Sequence, residues 1–412
     1  MKIGSFAKQH KVTVNTVRHY LDLKLLLTKK KNGQFIFDES CSKDLNDVLF
    51  LKEMGFSLIE IQQIFKLKRY GMLKSENDIN YYIELFNSKK QKLIEEKAEL
   101  DKSITKIEEE IGRVASSDRA DNSVKTKIGF PIDFLSLLSC SICGNPLHIK
   151  DGNIHDNMIM NGRLHCKCGY SIKVSDGILL SPFNNVKYFE GFNYEKYCST
   201  DYKKEANLNF MNFLYQSLKW VIGKLHSTTP SPKIILELGT GTGALFKHSH
   251  ELLAKDTFYI ATNSDLNVLK NFKNDIEDNY SFNNVIFICS DFASLPIKDE
   301  AVDVIVDFFA TTRYSYAYDD YLINLLGSKL KAEGEWLGTY FYLDKTAEAL
   351  KIYPKEYRPY FYSHNICDAF ENSPFHEKEL TQLGHIDNIG ICQEYFKDGD
   401  RLYQMVYHGV RK

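Results

Sequence analysis

No stretch of this 412-residue chain strings together the roughly 18 apolar residues that a membrane-spanning helix needs, and its start lacks the basic-then-apolar plan of a secretory leader. Both absences lead us to expect a cytoplasmic protein with no membrane partner. Net charge is also nearly absent: the total is −2, with 26 % charged and 43 % hydrophobic residues, a balance that argues against bulk disorder and for packed cores. The small total conceals an asymmetry. Residues 1–75 hold 14 Lys and Arg against 7 Asp and Glu, a surplus of seven, which leaves −9 for the remainder. A basic head on an acidic body suits a chain in which one module meets an anionic polymer. Domains usually hold about 100–200 residues, so several are expected here.

Proline is missing between Asp78 and Ala115, and the only glycine there is Gly112. Apolar residues recur every seven positions at Ile79, Phe86, Leu93, Leu100, Ile107 and Val114, while Ile83, Ile104 and Ile111 partly fill a second seam. The spacing predicts a long coiled-coil helix, interrupted at Lys90 and Lys97, and hence a homodimer. The plainer alternative is a helix docked along its own body. Ser116 to Ser123 reads as a linker.

Thr13 reads as the N-cap of a helix running through Val14 to Leu21, preceded by a short helix from Ile3 to Ala7. This is a helix-turn-helix layout, in which Asn15, Thr16, Arg18 and His19 of the second helix face bases or phosphates. Lys29-Lys30-Lys31, Asn32-Gly33 and the extended Gln34–Asp38 then form a hairpin wing. The run Ile3…Ala7, Val14…Arg18-His19-Tyr20, Leu25-Leu26, Gly33…Phe37 and Leu51-Lys-Glu-Met-Gly-Phe-Ser-Leu-Ile-Glu-Ile61 closely resembles the MerR family of transcription regulators across the first 70 residues. The resemblance implies double-stranded promoter DNA as partner, recognised partly by deforming it, with Arg18 and Tyr20 on the phosphate backbone; the candidate DNA-binding set is then Thr13, Asn15, Thr16, Arg18, His19, Tyr20, Lys30 and Gly33. Tyr20 and His19 have packing in the helix pair as their alternative role. The wing arginine of the family is Ile36 here, and the lysines at 29–31 stand beside it.

Cysteine is sparse and odd in number at nine, which in a reducing compartment favours metal over disulfides. Cys140-Ser-Ile-Cys143-Gly and Cys166-Lys-Cys168-Gly, separated by 22 residues, suit a tetrahedral, structural zinc with no open coordination position. His148, His155 and His165 are bystanders in this reading, His165 being the one possible substitute ligand. The segment from Leu138 to the Asp176-Gly177-Ile178 end resembles the zinc ribbons of RNA and protein methyltransferases, including large-subunit ribosomal RNA guanine methyltransferases.

Lys233-Ile-Ile-Leu-Glu-Leu-Gly-Thr-Gly-Thr-Gly243 is a buried-type strand entering a glycine turn. Gly239, Gly241 and Gly243 let a ligand approach the backbone, and Glu237 offers a carboxylate to a cationic amino group. Further strands follow at 257–262, 284–289 and 302–306, then a fifth after Gly334 and a reversed last strand from Arg401. With Leu295-Pro-Ile-Lys-Asp-Glu-Ala-Val-Asp303, this order resembles class I S-adenosylmethionine-dependent methyltransferases over residues 231–412. The resemblance assigns the adenine to Asp291 and Phe292. The acidic residue that normally takes the ribose hydroxyls is Asn263, with Asp265 as its possible substitute. No Asn/Asp-Pro-Pro-aromatic motif follows Asp307, which turns the reading away from DNA bases. Tyrosines at 314, 316, 318, 340, 342, 357, 360 and 362 either line an acceptor pocket or pack the core; Asp307 and His364 are candidate acid–base groups.

The expected fold is therefore multidomain. It comprises an all-α winged helix-turn-helix (1–75), a coiled-coil dimerisation helix (76–116), a linker (117–131), a small zinc ribbon (132–183), a helical lead-in or lid (184–230) and an α/β doubly wound, Rossmann-like methyltransferase domain (231–412). The leading functional reading is a DNA-binding regulator carrying a methyltransferase that uses S-adenosylmethionine on a small molecule. Two alternatives stand beside it: a regulator whose methyltransferase-like domain senses a ligand without turnover, and an RNA methyltransferase that captures substrate with its helix-turn-helix.

Overall fold

A computed structural model describes residues 1–31, 33–71, 74–117, 127–182, 207–228, 231–280, 284–312, 314, 320–387, 397 and 399–412. It resolves two compact units, Met1–Ala120 and Asp121–Lys412. Most of the expected linker and of the expected lead-in, together with Tyr316 and Tyr318, fall outside the described residues.

In the first unit, α1 (Ile3–Gln9) and α2 (Val14–Asp22) form the helix pair. The Thr13 hydroxyl caps α2 by accepting from Thr16 N at 3.0 Å. The wing is β1 (Lys29–Lys31) paired antiparallel with β2 (Gln34–Ile36), and α3 (Glu39–Glu53) and α4 (Leu58–Lys66) follow. Ser57 and Glu60 close a reciprocal capping box at the start of α4. Phe6, Val17, Leu45, Val48 and Ile61 are sealed in one core, with Phe6 stacked on Phe37 at 4.3 Å. Arg69 locks the far end of that core: its guanidinium donates to the carbonyls of Lys24 and Leu25 and to Asp44, and lies 4.7 Å from the Phe65 ring centre.

The long helix α5 (Glu76–Ser117) begins docked on this core through Tyr82, Leu85 and Phe86, with Phe86 4.9 Å from Phe56. Phe86 thus leaves the heptad seam for its own domain. Beyond it the apolar positions are open to solvent: Leu93, Leu100, Ile104, Ile107, Ile111 and Val114 are 42–65 % exposed.

The second unit is built on one large mixed sheet. In chain order its elements are β3 (Phe130–Pro131), β4 (His148–His155), β5 (Met158–His165), β6 (Ser171–Ser175), β7 (Ile178–Leu180), α6 (Leu208–Ser227), β8 (Ile234–Leu238), α7 (Ala244–Ser249), β9 (Phe258–Asn263), α8 (Leu266–Asn279), β10 (Val285–Cys289), β11 (Val302–Phe308), α9 (Leu322–Leu326), β12 (Leu330–Leu343), α10 (Ser363–Glu371), β13 (Phe375–Ile386) and β14 (Leu402–Arg411). The strand order is β13-β14-β12-β11-β8-β9-β10-β7-β6-β5-β3, with β4 also on β5. Strands β12, β11, β8, β9, β10 and β7 run parallel, and β14 returns antiparallel on β12. Alternate residues of β8 to β10 feed two cores, one on each face.

The cysteine-rich segment is a continuation of this sheet. Its last strand β7 pairs with β10 in register Phe287↔Ile178, and Ser181 N donates to Cys289 O. No α-helix lies in residues 290–301, which cross from β10 towards β11 with a single 3-10 turn at Phe292–Ser294. Phe130, Phe134 and Leu138 of the cysteine-rich segment cover that face instead, with Phe134 6.0 Å from Phe258. On the opposite face Glu277 of α8 accepts from Lys127 Nζ and Ile128 N, both at 2.8 Å, and pairs with the fully buried Lys273.

Candidate functional site

In the first unit the sequence-predicted contacts divide. Thr13, Asn15, Arg18, His19 and Lys30 are exposed on α2 and the wing, and Thr16 is half-buried against Thr13. Gly33 adopts φ +77°, the left-handed conformation that the hairpin demands, with open space around it. Tyr20 departs from the rest. Helical spacing puts positions 17, 20 and 21 on one face, and Tyr20 is only 7 % exposed inside the core with Val17 and Leu21. Ile36 occupies the wing strand at 39 % exposure.

The four expected zinc ligands converge. The Sγ atoms of Cys140, Cys143, Cys166 and Cys168 all lie within 4.8 Å of one another, with Cys140–Cys168 at 3.5 Å and Cys143–Cys166 at 3.4 Å. A tetrahedral zinc with bonds of about 2.3 Å needs thiolates about 3.8 Å apart, so the donor set fits that metal. Each knuckle closes on a glycine at positive φ, the first by a four-residue span (Gly144 N donates to Cys140 O) and the second by a three-residue span (Gly169 N donates to Cys166 O). Ile142 N and the Asn145 side chain point N–H groups at Cys140 and Cys143. His165 is outside the cluster, its Nδ1 lying 3.1 Å from the His148 carbonyl.

The glycine turn leaves the carboxyl end of β8 beside β11, where the strand order reverses and open α/β sheets form their ligand crevice. Gly239, Gly241 and Gly243 hold φ of +64°, +60° and +75°. A Cβ on Gly239 would stand 3.3 Å from Ala310 Cβ and 3.9 Å from Phe292, so this backbone is left bare next to an aromatic wall. Phe292 meets Tyr314 edge-on at 5.3 Å. Gly243 serves packing, since a Cβ there would strike the Phe272 ring at 2.0 Å.

The polar residues around the turn are spoken for to different degrees. Glu237 is 1 % exposed and accepts from Tyr259 OH at 2.7 Å; burial pushes its carboxyl up to about 8 against the pull of that hydrogen bond. Asn263 Oδ1 accepts from Asp265 N at 2.9 Å, and Asp265 caps α8 through Asn267 N. Asp291 accepts from Ala293 N at 3.0 Å, which orders the turn bearing Phe292. Asp307 is wholly buried and accepts from Thr311 at both oxygens, so it fixes the turn after β11; burial raises its carboxyl to about 6. His364 is exposed and stacked on Tyr362 at 5.8 Å.

Two features escaped sequence reasoning. The Cys140 knuckle is tied to the Phe292 turn: Ser141 Oγ donates to Ser294 O at 2.7 Å, Ser139 N donates to Pro296 O, and Leu138 bridges Ile297. Phe309, just past β11, sits at φ +59° and stacks on Phe341 at 4.0 Å. A non-glycine residue held there costs energy and marks an over-determined turn beside the crevice.

Comparison with known proteins agrees with this division. Residues 1–68 match the MerR HTH family regulatory proteins, and residues 235–334 match the methyltransferase domain family. No curated protein matches the chain. Similar solved structures include the MccD protein (10 % identity, 48 % of this chain and 96 % of that one, TM-score 0.37) and a SAM-dependent methyltransferase from Aquifex aeolicus (11 %, 54 % and 100 %, 0.35). The YcgJ protein from Bacillus subtilis is a third (14 %, 48 % and 99 %, 0.36). The chain carries an N-terminal MerR-type helix-turn-helix domain and a C-terminal methyltransferase domain.

Proposed function

We propose that this protein is a dimeric, promoter-binding regulator whose C-terminal domain uses S-adenosylmethionine to methylate a small molecule. The bare Gly239 backbone against Ala310 and Phe292, at the crevice of the sheet, carries the cofactor half of this reading. Gly239 and Gly241 would take the amino-acid end of the cofactor, Asp265 the ribose, and Asp291 with Phe292 the adenine. When bound, the cofactor supplies an electrophilic methyl group on a sulfonium. Transfer of that group is chiefly a matter of placement, which fixed turns deliver better than a mobile base. Asp307 and the Phe309–Phe341 stack hold the turn after β11, on the side from which an acceptor approaches. The zinc ribbon lends its four thiolates to structure and leaves the chemistry to the crevice.

The DNA half rests on the exposed Arg18, His19, Asn15, Lys29 and Lys30. Pairing of two α5 helices through Leu93, Leu100, Ile104, Ile107 and Ile111 would cover their exposed apolar seam and set two recognition helices about one DNA turn, or a multiple, apart. A non-catalytic sensor is the second reading. It is favoured by Asn263, whose oxygen is spent on its own turn and leaves no carboxylate for the ribose.

Calorimetry of S-adenosylmethionine on the wild type and on Gly241→Arg tests the cofactor claim, with binding expected only in the wild type. Absence of binding in the wild type would overturn it. Methylated product from a small-molecule panel separates enzyme from sensor, and footprinting on duplex DNA tests the regulator.

A further inference from the structure

The face of the methyltransferase unit that carries α9 and α10 holds a recess of about 420 Å³, lined by Tyr321, Glu356, Pro359, Tyr360, Asn365 and Asp368. Its segments follow the carboxyl ends of the parallel strands β11 and β12, the edge at which open α/β sheets receive ligands. None of the lining residues belongs to the glycine crevice or to the four-cysteine cluster.

Tyr321 is 8 % exposed, and its hydroxyl is buried with no hydrogen-bond partner among the described residues. A phenol taken out of water without a partner is costly, and a ligand in the recess would satisfy it. Its ring meets Tyr360 edge-on at 5.3 Å, so the two tyrosines form an aromatic corner. Asp368 and Glu356 are exposed at the rim, and among the described residues neither carboxylate forms an ion pair. Asn365 spends its amide nitrogen on the Pro359 carbonyl at 2.9 Å, which leaves it an acceptor towards the recess. No basic side chain is in the lining, and the neighbouring Arg358 has its Nε on Tyr353 O.

Two carboxylates, an amide oxygen and two aromatic rings select one ligand chemistry. We infer that this recess binds a small organic cation, an ammonium group on an apolar or aromatic body. The charge sits between Asp368 and Glu356, the body lies against the Tyr321 and Tyr360 rings, and an N–H of the ammonium or a polar group carried on the body gives the Tyr321 hydroxyl its missing partner. The inference stands whether or not the crevice turns over S-adenosylmethionine. The cation serves either as methyl acceptor or as the effector of a regulator, and both sources share this recognition.

The full-length protein is titrated by calorimetry with tyramine, phenyltrimethylammonium and spermidine, and with the neutral 4-ethylphenol and the anionic 4-hydroxyphenylacetate as controls. At least one of the cations is expected to bind saturably and the controls not at all. Asp368→Asn combined with Glu356→Gln should weaken binding at least tenfold. Tyr321→Phe should weaken it about threefold while melting no lower than wild type, because the hydroxyl it removes has no partner. Gly241→Arg should bind the cation unchanged, which separates this site from the cofactor crevice. Methylated product with the cation identifies an acceptor, and its absence with altered DNA affinity identifies an effector. Failure of all three cations, equal binding of 4-ethylphenol, or full binding in the double carboxamide variant would overturn the inference.

Discussion

Glu237 stores a pH dependence that can be worked out in advance. The ordinary carboxyl value is 4.5, and burial in the folded unit lifts it to about 8. An acid that is raised on folding makes the native state bind the extra proton. Its stabilising contribution is therefore complete below 4.5 and is lost as pH climbs through 8. The full span, 3.5 units at about 1.36 kcal/mol each, is about 5 kcal/mol, of which about 4 kcal/mol falls between pH 5 and pH 9. Asp307 adds a similar slope, but at lower pH, because burial places it at about 6. Above pH 6.5 the Glu237 carboxyl should dominate. Glu237→Gln keeps an acceptor for Tyr259 OH and removes the titration. Differential scanning calorimetry of the ligand-free protein should show the wild type melting about 10 °C lower at pH 9 than at pH 5, at about 2–4 °C per kcal/mol for a unit of this size. The variant should be distinctly flatter. Parallel curves for the two proteins would refute the reasoning and place the ionised carboxylate in a better-solvated site than the structure gives it.

Stripping the zinc that we propose for the four-cysteine cluster, by chelation or by Cys143→Ser, should weaken S-adenosylmethionine binding about tenfold. The Ser141–Ser294 hydrogen bond and the Leu138–Ile297 bridge that steady the Phe292 turn are worth about 1 kcal/mol each. Calorimetry together with hydrogen exchange at residues 290–298 reads this, and unchanged affinity in verified metal-free protein would discard the brace. Gly243→Ala forces φ +75° on alanine and drives its Cβ into Phe272; a loss of about 3 kcal/mol or more should appear as a lower melting temperature. Leu100→Asp with Ile104→Asp should turn a dimer into a monomer in sedimentation and cut operator affinity, while an unaltered sedimentation profile would remove α5 from the interface. Arg18→Ala should weaken DNA binding evenly across sequences and reduce the salt slope by about one, measured by titration at several salt concentrations.

Much of this was legible in the sequence because it is local. Glycines at alternate positions after a buried strand declare a tight left-handed turn, and paired cysteines two or three positions apart declare thiols that converge. The helix pair and wing were equally readable from Thr13, the Asn32-Gly33 turn and the lysines between. What stayed hidden depends on distant partners. Helical spacing sets Tyr20 on the face of Val17 and Leu21, but that this face is sealed and not turned to DNA depends on α2 sharing one core with Phe6 and Leu45. Phe86 fits the heptad, but Phe56 claims it. Ile178–Leu180 is three apolar residues with no periodicity to read, and its pairing with β10 is set by residues more than a hundred positions away. The Tyr321 recess brings together residues 321 and 356–368, which no spacing rule connects.

That pairing has a practical side for anyone who cuts the chain. A fragment starting near residue 231 looks like a natural methyltransferase domain, but it would be born with β10 as a raw edge and with the face once covered by Phe130, Phe134 and Leu138 open to water. Unpaired parallel edges of this kind recruit one another, so such a fragment should precipitate, whereas one beginning near residue 127 carries its own cover. The cysteine-rich segment is thus less a cargo of the fold than its selvage, the woven border without which the cloth frays.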